Sequence, residues 1–511
     1  MLPKSVLPVL LLLVGVLLQP SYADPSPDFG IKATITATTN IVRQIGTLNT
    51  AFDNVDDMSL TLSAGYTVLD DMKAAIIFIG SKVTAAGKVL TSALTTLAGD
   101  RSNDVNGAFA PVYNAIGALR TLLQTGFTAQ FTTLQRQGIF ITNQLTDSFK
   151  AILTRLTLIS GALDRLKAGV TAARDAPGNP PNGISPDNLS RYVTSKMTFD
   201  LQDALSRLTS DLPLVQFIVE ETQRKLSIAD QFLGDMRIEA ETVIGDTTNA
   251  EQRFESDVST VSTSVVAALN ERVKPSYNEQ LQTIGTVQSK LEAIGTYTDD
   301  LKPALDRLAE LLNEAGITAR TIEIENAFTQ YNNDLDGTIA SVTAVERFFI
   351  DESCSGLVSV IDALVANSPY SNFCFSKFSP RLFTQYALSF YIVSECYDIE
   401  TERIFRLQDL MSLIVGMIVY DVEDLGDAII TCALLTDGSN CVTTIGPYYE
   451  KLATTVDEKQ AYMVNFILSE TKFSLQRVSS CINKAKYSTV ISVVAIVENL
   501  KTCSKNGPSI A

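Results

Sequence analysis

The sequence contains no histidine and no tryptophan in 511 residues. The first absence removes Ser-His-Asp and Cys-His triads and every imidazole metal site. Carboxylate pairs, Ser-Lys dyads and tyrosine are the acid–base chemistry that stays open in principle. The second absence, with aromatics at only 8%, leaves large cores to be built from Leu, Ile, Val and Ala. Basic side chains are scarce too: 40 Lys and Arg face 57 Asp and Glu, a net charge of −17. Such a surface repels nucleic acid and anionic membrane, so neither is an expected partner. No Gly-rich phosphate loop, nucleophile elbow or metalloprotease motif occurs. We therefore expect no enzyme, no catalytic residue and no cofactor.

An apolar run opens the chain. Lys4 supplies a basic start, Val6 to Leu18 an apolar stretch, and Ser21 and Ala23 the small residues that precede a cleavage site. Residues 1–23 read as a secretory signal peptide, which makes the mature chain begin at Asp24 and places it outside the cell. The later runs Leu410–Tyr420 and Val490–Val497 are too short to cross a bilayer, so no transmembrane segment is expected.

What fills the chain is helix periodicity. Leu145, Phe149, Ile152, Leu156, Ile159, Leu163, Leu166 and Val170 step alternately by four and three. They form the seam of a helix packed along a partner. The same alternation runs from Leu201 to Val243 and from Ile284 to Leu312, with Pro213 and Pro303 placed to kink or restart the helix. Gly99–Asp104 reads as a turn, Gly245–Thr248 and Pro275 as further helix ends, and Ala176–Pro186 as the clearest linker. The fold expected is all-α: long antiparallel heptad helices in an elongated bundle, followed by a disulfide-stapled helical domain. The divisions are 24–176, a Pro/Gly linker at 177–186, 187–350, and a Cys-rich domain of shorter helices at 351–511.

All seven cysteines lie in that last part. Behind a signal peptide they read as disulfides. Cys354, Cys374, Cys396, Cys432, Cys481 and Cys503 are the candidates for three bonds. The odd one, assigned to Cys441 in the turn after Asp437, is left free or available to link a dimer. Asn188-Leu189-Ser190 is a glycosylation sequon in an exposed loop. Asn332, Asp334 and Asp336 with Gly337 imitate the start of an EF-hand loop, but Thr343 replaces the closing glutamate. No metal is therefore expected.

The cysteine tail, with Cys481 and Cys503 spaced by 22 along helical sequence such as Cys481-Ile482-Asn483-Lys484-Ala485, resembles the TsetseEP-type domains of insect secreted proteins. The resemblance covers about the last 150 residues; the extra cysteines and the heptad region lie outside it. It implies an insect gut or body-fluid protein without established catalysis. The expected function is that of a secreted, non-enzymatic helical interaction or structural protein, its partner another extracellular protein or a surface component. An amphipathic lipid carrier is the first alternative. A helical pore-former inserting Ala74–Ala98 is the second.

Overall fold

A computed structural model describes residues 28–56 and 58–508, apart from the side chains at 338–343 and 345. The signal segment 1–23 lies outside the described residues. The chain is 87% helical, with no strand among the described residues. The helices are α1 (Thr38–Asp53), α2 (Thr67–Ala98), α3 (Val105–Thr125), α4 (Thr128–Gln135), α5 (Phe140–Asp175), α6 (Pro186–Tyr192) and α7 (Ser195–Ala268). They continue as α8 (Lys274–Gly285), α9 (Gln288–Glu292), α10 (Lys302–Leu312), α11 (Glu314–Val365), α12 (Ser371–Glu423), α13 (Leu425–Leu434) and α14 (Ser439–Asn506). Two compact units emerge: unit 1 from Met1–Gly234, Ile361–Phe375 and Cys503–Ala511, unit 2 from Asp235–Val360 and Ser376–Thr502.

This division differs from the one expected. The units part inside α7, and the residues after 351 are shared between them instead of forming a domain of their own. The linker at 177–186 lies wholly within unit 1. Nor do the C-terminal helices shorten, since α12 has 53 residues and α14 has 68. Gly245–Thr248 is helix too: Thr247 and Thr248 return their hydroxyls to the carbonyls of Val243 and Ile244, so the polar run needs no turn. By contrast, Ile284–Leu312 is broken into α8, α9, a π-turn and α10, which starts with Pro303 in its first turn.

In unit 1 the seam of α5 is fully buried from Leu145 to Val170, as the four-three steps require. α2 and α3 form a hairpin whose turn ends where Asp104 accepts a bond from Gly107 N at 3.0 Å, capping α3. Before α1 the chain folds onto this hairpin. Phe29 N donates to Leu97 O and Gly30 N to Asp100 O, both at 3.0 Å. Gly30 has φ +78°, and a Cβ there would meet Ala108 Cβ at 3.0 Å, so only glycine suits the site. α2 is the described helix long and apolar enough to cross a membrane, but one face of it packs inside the unit: Gly87 lies directly against the Phe52 ring.

Unit 2 has an aromatic and polar interior. Phe254 of α7 packs against Tyr331 of α11 and Tyr397 of α12, with ring centres 6.4 and 5.8 Å apart. Seam positions on α14 are often polar, and several bond across to a neighbouring helix. Ser474 bonds Tyr331 at 2.6 Å, Thr489 bonds Ser389 at 2.6 Å, and Gln460 donates to Leu311 O at 3.3 Å. Glu400, 1% exposed, receives Arg477 through Nε and Nη2 and Arg403 through Nη1. A buried carboxylate held by two guanidiniums keeps its charge compensated.

The cysteines pair as Cys374–Cys503, Cys396–Cys481 and Cys432–Cys441. Cys354 is the free one and is exposed. This reverses the expected roles of Cys354 and Cys441. α13 ends at Leu434 and α14 begins at Ser439, so the short connection folds Cys441 back to Cys432 with Cα atoms 5.4 Å apart. Sequence neighbours such as Cys374 and Cys396 share one helix about six turns apart and cannot meet. Both long-range bonds join α12 to α14. Three such bonds belong to an oxidising environment.

Candidate functional site

Unit 2 carries an open groove of about 680 Å³ between α7 and α12. α7 contributes Val243, Asp246, Asn249 and Arg253, one helical turn after another along the face that turns away from the interior. α12 contributes Thr384, Ala387, Leu388, Phe390, Tyr391 and Ser394. Phe390 is buried at the base, whereas Leu388 is 44% and Tyr391 65% exposed on the wall. The two helices are tied beneath the groove by Thr247 Oγ and Ser394 Oγ at 3.2 Å. Arg253 faces Asp398 at a loose 3.8 Å, so its guanidinium retains donors for something else.

The opposite side of α7 carries carboxylates. Glu251 is pushed up to about 7, chiefly by burial and further by the negative charges of Glu255, Glu346 and Asp336. Burial also raises Glu255 and Glu346. Glu251 Oε1 and the hydroxyl of Tyr397 are buried without a hydrogen-bond partner. Protonating Glu251 supplies a donor and removes one of four like charges. This part of unit 2 is therefore pH-sensitive by construction.

A second cavity, about 490 Å³, lies over Glu400, Arg403, Arg477 and the Cys396–Cys481 bond. Its guanidiniums are engaged by Glu400 and Glu470, which makes it a charged clasp between α12 and α14.

The residues singled out from sequence do not converge on either cavity, apart from Cys396 and Cys481. Asn332, Asp334 and Asp336 lie within α11. A regular helix turns successive side chains outward in different directions and cannot wrap a cation, so the EF-hand likeness is only of letters. Among the described residues no group of three or more acidic or cysteine side chains is placed to hold a metal. Asn188 sits in α6 with its amide Nδ2 already donating to Pro177 O at 3.0 Å and Asn179 Oδ1 at 2.9 Å. That nitrogen is the one a glycan would occupy.

The groove residues were missed. One signal was available: Phe and Tyr concentrate between Phe373 and Tyr397, more than one buried seam can absorb. Comparison with protein-family models, with curated proteins and with solved structures finds no match for this chain.

Proposed function

We propose that the protein is a secreted, non-enzymatic helical binding protein whose recognition site is the groove between α7 and α12. The carrying observation is the exposed wall of Leu388 and Tyr391 above buried Phe390, a concave apolar surface bordered by the polar side chains of Asp246, Asn249, Arg253, Thr384 and Ser394. An apolar group of an extracellular protein or surface component seats against that wall, and Arg253 and Asp246 orient its polar end. The disulfides and the signal-like N-terminus support the extracellular setting.

A photoreactive phenylalanine analogue in place of Tyr391, activated in the native fluid, tests this reading. A protein adduct that disappears in Leu388→Glu is the expected result. The lipid-carrier alternative draws on one observation, a volume within the range that encloses single small ligands. A lipid adduct at the same position would favour it, and no adduct of either kind would remove the groove from consideration.

A further inference from the structure

A further cavity of unit 2, about 510 Å³ and open to solvent, lies between α12 and α14. Thr384 lines both it and the groove between α7 and α12, so the two hollows meet along one edge of α12. α12 gives it Phe378, Arg381 and Gln385, and α14 gives Ser492 and Ile496. Cys396–Cys481 and the 2.6 Å contact of Ser389 with Thr489 hold the two helices antiparallel in this register. Arg381 is exposed and makes no ion pair among the described residues. Its Cζ stands 5.5 Å from the ring centre of buried Phe378, a contact that uses the guanidinium face and leaves its N–H edge free. Gln385 Nε2 is shielded and lacks an acceptor, and a half-turn of the amide turns that donor to the cavity. No acidic side chain is among the described residues that line the cavity. In a chain of net charge −17, α12 has no Asp or Glu from Ser371 to Ser394, and α14 has none from Thr471 to Val497.

We infer that the ligand of this double hollow is an acidic peptide segment of a partner protein. One apolar side chain of the segment seats on Leu388 and Tyr391, and a carboxylate of the same segment seats on the N–H edge of Arg381. This rests on the groove between α7 and α12 being the recognition site, and adds the chemistry that the site selects. Arg381 lies seven residues before Leu388 and ten before Tyr391, about 10–15 Å along the helix. An extended chain covers that span in about three to five residues. The cation at the other rim is less available: Arg253 faces Asp398 and shares its border with Asp246, so a carboxylate there meets two like charges. At Arg381 it meets none, and charge complementarity fixes both the place and the sign of the ligand. Both hollows are open, so a long alkyl chain would stay wet along its outer side. A peptide turns its own polar backbone to that side, and the hydroxyls of Thr384 and Ser492 lie along its route.

Panning a library of random short peptides displayed on phage against the purified full chain tests the assignment. Selected peptides should pair an aromatic or aliphatic residue with Asp or Glu about three to five positions away. In fluorescence anisotropy such a peptide should bind Arg381→Glu at least about tenfold more weakly than the parent, the scale of a lost charge-assisted hydrogen bond. Arg381→Lys should lose less, because it keeps the charge and gives up only the forked geometry. Leu388→Glu should also abolish binding. Arg381 and Leu388 are exposed, so unchanged helical circular dichroism is expected for each variant. Leu388-dependent peptides without an acid, or acidic peptides indifferent to Arg381→Glu, would overturn the inference and leave the groove as the recognition site. Selection of nothing that depends on Leu388 would remove the groove and this inference together. Dansyl-undecanoic acid bound by the parent and lost from Arg381→Glu would overturn the peptide in favour of a free amphipathic carboxylate.

Discussion

The seam of α5 in unit 1 is aliphatic or aromatic from Leu145 to Val170, while the seam of α14 in unit 2 places Gln460, Thr471, Ser474 and Thr489 among its buried positions. An aliphatic seam tolerates small shifts, because burial is non-directional and scales with area. A polar seam does not, because each hydroxyl or amide needs its particular acceptor or donor, and a lost partner costs about 1–3 kcal/mol. Unit 2 thus trades some apolar burial for a specified register of α11, α12 and α14. Two of the three disulfides lie there as well. The staples and the polar matches do the same work: they hold helices in register where greasy packing alone would let them slide.

The largest effect that can break this comparison comes from those staples. Cys396–Cys481 closes 85 residues and Cys432–Cys441 closes 9. Loop entropy assigns them about 4.5 and about 2.5 kcal/mol. Serine replacement of each pair, followed by thermal unfolding, should therefore lower Tm more for the longer loop. Equal losses would mean that the polar seam already holds α12 and α14 in register without the bond.

Protonation gives a middle-sized effect of the same sign in the two units, reaching to higher pH in unit 2. In unit 1, Asp28 is fully buried and pushed up to about 6 by desolvation, although it accepts bonds from Ile35 N and Thr38 Oγ. In unit 2, Glu251 reaches about 7. Both folded values exceed the unfolded ones, 3.8 and 4.5. Each contribution is therefore fully present below the unfolded value and is lost as pH rises through the folded one. Stability should fall from about pH 4 to 6 through Asp28 and from about pH 4.5 to 7 through Glu251, then level. Glu251 is only half-buried, so solvent screening reduces its share to about 1–2 kcal/mol. Denaturant midpoints of Glu251→Gln against pH should lose the later part of the slope and exceed the parent at pH 8. An unchanged slope would show that the carboxylates on α7 and α11 relax apart at no cost.

How much of this was legible follows from the same contrast. The aliphatic seams of α5 and of α7 as far as Ala229 are readable from spacing alone, and they are buried as expected. The seam of α7 continues through Thr247, Ala250, Phe254, Val258, Val261 and Val265, but Gly245-Asp246-Thr247-Thr248 has the composition of a turn and hid it. On α14 the buried positions Ile467, Thr471, Ser474, Val478, Ile482, Ala485, Thr489 and Val493 step 4, 3, 4, 4, 3, 4, 4. That is an eleven-residue rhythm, which a heptad template does not match and which polar members further disguise. The disulfide partners were encoded more openly: 374 to 396 and 481 to 503 are equal spacings, as two antiparallel helices bonded twice require. The groove was not legible, because it depends on which outward faces of α7 and α12 lie together.

The smallest effect belongs to the segment that composition marks as a flexible linker. Its prolines and glycines point to an open, protease-sensitive loop between domains. The structure instead knots it around one side chain. Asn179 Nδ2 donates to the carbonyls of Ala173 and Arg174 at 2.8 and 3.0 Å, satisfying the end of α5. Its Oδ1 accepts from Ser185 N and from Asn188 Nδ2, both at 2.9 Å, and Ser185 in turn caps α6. Like Asp28 with Ile35 and Thr38, and Asp230 with Ser63 and Ala64, this knot is a directed polar contact within unit 1 and should behave like the polar seam of unit 2. Asn179→Ala should cost about 1 kcal/mol, the net worth of a few partly exposed hydrogen bonds. Its main effect should be kinetic and local: cleavage within 177–186 becomes fast in the variant while the parent resists. The parent's Asn188 should also be found unmodified by peptide mass mapping, because its amide nitrogen is held inside the knot. Rapid cleavage of the parent, or a glycan at Asn188, would return the segment to the open linker that its composition describes.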